Sequence, residues 1–159
     1  MASFDFVTIW KVDAPIEVVW KAMYNVEEWP SWWKGVEIVE VIAPGDANRI
    51  GRITRNVWKS ALPYRLRFDA RVVRIEPMSL IEVRYSGELE GSGVMHFSHD
   101  GRRTAFRHNW RVSTTKPWMN FLAPIARPFF SWNHKVLMDW GAEGLSKKLG
   151  VSKIETFDS

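Results

Sequence analysis

The stretch Arg127-Pro128-Phe129-Phe130-Ser131-Trp132-Asn133-His134-Lys135-Val136-Leu137-Met138-Asp139-Trp140, running on to Leu149-Gly150, decides how the rest of the chain must fold. Phe129, Val136, Trp140 and Gly144 fall on one helical stripe, and Phe130, Leu137, Gly141 and Leu145 on the next, so the segment presents one broad apolar face. Pro128 suits a first helical position, Lys147 and Lys148 oppose the negative end of the dipole, and Gly150 stands where a left-handed cap is expected. The spacing predicts a helix over 128–149, and its apolar face must lie on something large. Two polar residues, Asn133 and His134, sit within or beside the stripes.

What precedes this helix has a different period. Phe4 to Val12 is β-rich with apolar residues on both faces, and Asp13-Ala14-Pro15 then opens a short helix with Ile16, Val19, Trp20 and Met23 at the i, i+3, i+4 and i+7 positions. A second short helix or turn spans 26–33, carries Trp29, Trp32 and Trp33, and ends at Gly35. From Val36 onward the period is two, which predicts strands at 36–43, 49–59, 64–76, 80–89, 93–99 and 103–114. Their short Pro- and Gly-bearing connections make neighbours antiparallel. Alternation turns Phe68, Tyr85, Phe106, His108 and Trp110 inward and Arg65, Arg67, Arg71, Arg107 and Arg111 outward, with Met95 and Phe97 inward on their own strand. The segment 116–124 is apolar and proline-punctuated, and Pro124 and Pro128 predict that no regular helix runs undistorted through both. The layout is α+β: a bent antiparallel sheet of about seven strands, two short helices after the first strand, and a long final helix covering the inner face.

With 159 residues the chain is expected to be one domain over 1–150 with a frayed tail at 151–159, and there is no internal repeat. The absence of cysteine excludes disulfide and thiolate chemistry and fits a reducing compartment, so a cytoplasmic location is expected. The first residues lack a basic segment followed by an apolar core, and no run approaches the roughly 18 apolar residues of a membrane span. A formal charge of +4 without a basic run or phosphate loop points away from nucleic acid. Ten tryptophans and nine phenylalanines imply either a very aromatic core or a cavity walled by rings.

Ala14-Pro15-x-Glu17-x-Val19-Trp20, Glu28-Trp29-Pro30-Ser31-Trp32-Trp33, Thr114-Thr115-Lys116-Pro117-Trp118-Met119-Asn120, Pro128-Phe129-x-x-Trp132-Asn133-His134 and Gly141-x-Glu143-Gly144-Leu145 resemble the START/birch-pollen-allergen (SRPBCC) superfamily, in its bacterial polyketide cyclase/dehydrase-like branch. The resemblance covers essentially the whole chain. It implies a helix-grip fold around a hydrophobic pocket and, for some members, cyclase or dehydratase activity.

The pocket-facing candidates follow from the same alternation. Asn56, Trp58, Phe68, Tyr85, Met95, Phe106 and Trp110 from the sheet, with Phe129, Asn133 and Leu137 from the helix, are expected to line a ligand site for an aromatic, polyketide-like or lipid-like molecule. His108, helped by His134, is the candidate acid/base, aimed at a bound carbonyl or phenol; the same position equally suits a core histidine bonded to its surroundings. Asn133 could hold a ligand oxygen or pin a strand end. No metal and no cofactor are expected, because no histidine pair has ligand spacing with an inward carboxylate. Trp118, Phe121 and Leu122 could instead dip into a membrane interface to load a lipid or quinone, or pack as a lid. Monomer and homodimer both remain open.

Overall fold

The computed structural model describes residues 2–158, so Met1 and Ser159 at the ends of the expected domain and tail lie outside it. The elements are β1 (Ser3–Val12), α1 (Ile16–Tyr24), a 3-10 turn (Val26–Glu28), α2 (Trp29–Trp32), β2 (Val36–Ala43), β3 (Ile53–Trp58), β4 (Leu66–Glu76), β5 (Leu80–Gly87), β6 (Leu89–Asp100), β7 (Arg103–Thr114), α3 (Pro117–Leu149) and β8 (Glu155–Asp158). They give the helix-grip arrangement: one antiparallel sheet in the order β2-β3-β4-β5-β6-β7-β1-β8, with α3 on its inner face. β1 returns beside β7, Phe6 opposite Trp110 and Trp10 opposite Phe106, which sets the first strand's rings against those of the last long hairpin.

Three expectations need correction. The tail is not frayed: residues 155–158 form an eighth strand on β1, and buried Ile154 leads into it. Leu89 begins β6 rather than ending β5, because Gly87, at a φ of 102°, turns the chain just before it. The long helix starts at Pro117, eleven residues before Pro128, and both Pro124 and Pro128 lie inside it. A proline costs an intrahelical hydrogen bond and collides with the preceding turn, but its φ is helical, so sufficient anchoring carries the helix past it. Met119, Ala123, Phe130, His134, Leu137, Gly141 and Leu145 form one buried stripe at helical spacing, and both prolines stand on the exposed side. Asn120 Nδ2 donates to the Thr114 carbonyl at 3.1 Å, and Arg127 Nη1 donates to the Ser3 carbonyl at 2.7 Å.

The aromatic core is continuous. Trp33 packs on Trp10, Trp29 and Trp58 with ring centroids 5.4, 4.9 and 5.7 Å away, and its Nε1 donates to the Leu137 carbonyl at 2.9 Å. Gly141 and Gly144 let α3 approach this cluster: a Cβ on Gly144 would stand 1.8 Å from the Trp32 carbonyl oxygen. Outside, the arginines alternate as expected; Arg55 pairs with Asp69 across β3 and β4 at 3.1 Å, and Arg65, just before β4, pairs with Glu37 at 2.7 Å. Such exposed pairs contribute little stability.

Candidate ligand cavities

Two cavities lie against the inner face of the sheet, one toward α1 and α2 and one beneath α3, and an indole wall divides them. Trp58 from β3 lines both, and it stacks on Trp110 from β7 with centroids 5.7 Å apart and planes 24° apart. The β3–β4 side of the interior, facing α1 and α2, holds the first cavity, whose lining includes Asn56, Trp58, Phe68, Tyr85, Met95 and His108. Under the middle of α3 lies the second, lined among others by Phe6, Trp110, Asn133, His134 and Leu137. Each has a volume of about 60 Å³, room for a few waters. A drug-sized ligand needs roughly 300 Å³ or more, so loading one requires the wall or the helix to move.

The two imidazoles are the chemically interesting groups. His108 is 6% and His134 8% exposed, and neither His108 Nδ1 nor His134 Nε2 has a hydrogen-bond partner. His134 stacks on Phe6 at 4.1 Å, and both imidazoles pack on Trp110, with centroids 5.9 and 5.2 Å away. Burial lowers His108 to about 4; burial, with a smaller contribution from the positive charge His108 would carry, lowers His134 to about 3. At neutral pH both rings are therefore uncharged, each able to accept one hydrogen bond and donate another. The indole N–H of Trp110 is also without a partner in hydrogen-bonding geometry, although it lies near enough to Tyr85 to offset part of that phenol's shift. Burial pushes Tyr85 well above its ordinary value, so the phenol keeps its proton. Its hydroxyl lies over Gly93, where a Cβ would come within 2.3 Å of it.

Other polar groups are already occupied. Asn56 Nδ2 donates to the Thr54 hydroxyl at 3.1 Å, and its Oδ1 accepts from Trp58 Nε1 at 3.2 Å, which fixes the dividing indole. Asn133 Oδ1 accepts from the Leu62 N–H at 2.9 Å, and its Nδ2 donates to the Tyr64 hydroxyl at 3.1 Å. It pins the segment entering β4, so a ligand oxygen would have to displace one of these partners. Phe106 and Phe129 do not line either cavity. Phe106 is fully buried against Trp10 and Phe97, and Phe129 is 61% exposed on an outer groove, because the helix turns its neighbour Phe130 inward instead.

Sequence reading missed Arg49 and Arg52 on the first cavity and Phe4, Phe6, Tyr64 and Phe130 on the second. Arg52 was within reach, because the alternation Thr54, Asn56, Trp58 extends backward to it. Among the described residues no cluster of three or more His, Asp or Glu side chains could hold a metal ion, and no helix is long and apolar enough to cross a membrane.

A helix-grip protein with an aromatic, cavity-bearing interior is thus defined. The chain belongs to the family described as polyketide cyclase / dehydrase and lipid transport, which matches residues 12–149. Its fold resembles the Zhui aromatase/cyclase of a Streptomyces species (16% identity, TM-score 0.75, 94% of each chain). It also resembles a START superfamily protein of Mycobacterium smegmatis (12%, TM-score 0.73, 92% of this chain and 98% of that one) and a protein of Thermus thermophilus (18%, TM-score 0.73, 91% and 99%). These identities establish the fold alone. A search of curated proteins finds no match.

Proposed function

We propose that this protein binds a hydrophobic small molecule, with an aromatic or lipid-like body, in the space between the sheet and its covering helices, by parting the Trp58–Trp110 wall so that the two cavities join. The observation that carries this reading is the pair of buried, unpartnered imidazoles at the two cavities. Burying a polar group without a partner costs about 1–3 kcal/mol, and a ligand oxygen or hydroxyl that satisfied it would recover that cost. Binding is favoured over acid/base catalysis because a base poised for neutral pH needs a pKa near 7, whereas these rings lie near 4 and 3.

The test is a tryptophan-fluorescence titration with a library of aromatic and aliphatic ligands bearing one carbonyl or hydroxyl, read alongside native mass spectrometry. A one-to-one complex that weakens at least tenfold in His108→Phe is expected; no complex with any member sinks the reading. The enzyme alternative, a polyketide cyclase or dehydratase using His108, requires that His108→Ala lose turnover while retaining binding. A second reading, a carrier that contacts membranes, is favoured by the exposed apolar stripe of α3 containing Trp118, Phe121, Leu122 and Ile125.

A further inference from the structure

The first cavity has an electrical asymmetry that its apolar walls hide. Among the described residues, Arg49 and Arg52 are its only charged lining residues, and no carboxylate lines it. Both guanidiniums lie at its solvent-accessible side, 25% and 18% exposed, while Trp58, Phe68 and His108 are buried. They share a single carboxylate: Arg52 Nη1 bonds Glu27 Oε1, and Arg49 Nη1 lies 3.9 Å from the same oxygen. Arg49 is otherwise held by the Tyr24 carbonyl at 3.2 Å and by the Tyr24 ring, its guanidinium carbon 4.1 Å from the centroid. Arg52 Nε donates to the Pro44 carbonyl at 3.2 Å. Two positive charges against one negative leave a net positive edge on a low-dielectric hollow, where an anion is attracted more strongly than in water.

The backbone adds a second observation. Arg49 has a φ of 68°, a left-handed conformation that costs a side-chain-bearing residue energy and that glycine would adopt freely. The turn imposes it: Asp46 Oδ1 accepts the N–H groups of Asn48 and Ile50 at 2.8 and 3.0 Å, and the Arg49 N–H donates to the Asp46 carbonyl at 2.9 Å. A strained position that carries a long cation rather than glycine, with that cation on the cavity lining, is consistent with use of the side chain.

We infer that Arg49 and Arg52 form an anion-recognition site at the entrance of the first cavity, selecting amphipathic ligands with an apolar body and a carboxylate or phosphate head. This rests on the proposed binding of hydrophobic molecules and narrows it. The body enters beneath Tyr24 and Trp29, and the head exchanges with Glu27 for the two guanidiniums, whose fork geometry suits bidentate oxyanions.

Matched pairs of probes differing only in charge test this: naphthalene-2-carboxylate against naphthalene-2-carboxamide, and decanoate against decan-1-ol, each titrated at low salt by calorimetry. The anionic member is expected to bind at least tenfold tighter, the preference falling toward one in Arg49→Gln/Arg52→Gln and weakening as salt is raised. Glu27→Gln has the opposite sign: removing the competing carboxylate should raise the anionic affinity severalfold over that of the neutral partner. Decyl phosphate and decanoate, compared side by side, show which head is preferred. Equal affinity for both members of each pair, or a preference untouched in the double variant and in Glu27→Gln, overturns the inference while leaving hydrophobic binding intact. Binding of neither member overturns the pocket reading and this inference with it. Circular dichroism of each variant shows whether the fold is kept, and if the double variant unfolds, Glu27→Gln alone decides the matter.

Discussion

From Pro117 to Trp132 the long helix α3 leaves Phe121 and Ile125 83 and 80% exposed, whereas from Asn133 to Leu149 it buries Leu137, Met138, Ala142 and Leu145. Both halves are rich in large apolar residues, so composition does not separate them. What separates them is what lies opposite. The second half crosses the tryptophan cluster of α2, with Gly141 and Gly144 allowing van der Waals approach. The first half buries Met119, Ala123 and Phe130 and is tied to the sheet by the Asn120 and Arg127 hydrogen bonds, leaving Trp118, Phe121, Leu122, Ile125, Phe129 and Trp132 as a second, exposed stripe. Apolar residues on a helix thus mark a face to be covered, and the cover itself is decided by the rest of the fold.

The largest expected effect falls on the buried half and its partner His108. The folded-state values of about 4 and 3 lie below the ordinary 6.5, so between those limits the unfolded chain binds more protons than the folded one. Stability from this source is full well above pH 6.5 and falls on acidification, by on the order of 5 kcal/mol at pH 4.5 if both imidazoles act. Urea midpoints between pH 7 and 4.5 measure this. In His108→Gln/His134→Gln the slope should nearly vanish in that window, and an unchanged slope would mean that the buried rings do not control it. Next in size is Gly144→Ala, whose Cβ meets the Trp32 backbone; a loss of about 3 kcal/mol in chemical denaturation is expected. The smallest effect on folding belongs to the exposed half. Phe121→Ser/Ile125→Ser should change stability by less than about 0.5 kcal/mol while lowering any retention on anionic liposomes severalfold; no retention by the parent protein removes the carrier reading.

The fold was legible because period-two alternation, turn residues and one long apolar helix agree with each other. The alternation of β7 and the stripe through Phe130, Leu137, Gly141 and Leu145 placed His108, Trp110 and Leu137 correctly inside. The start of α3 was illegible because Pro124 and Pro128 were read as breaks, and only the side-chain anchors at Asn120 and Arg127 show why the helix persists. The tail's strand was missed because its pairing partner, β1, lies about 150 residues away, beyond any local signal. For the candidate site, alternation supplied the walls but not the division: that Trp58 stacks on Trp110 and splits the interior depends on rotamers and packing. Nor could spacing show that Asn133 is occupied by Leu62 and Tyr64.

The contrast between an inner, divided cavity and an outer apolar stripe leaves one direct measurement, the indole N–H resonances of the ten tryptophans during titration with a hydrophobic ligand. Binding inside must part the wall, so the Trp58 and Trp110 signals should shift together and saturate at one equivalent, with those of Trp118 and Trp132 unmoved. Shifts confined to Trp118 and Trp132 would place the ligand on the outer groove and contradict the account.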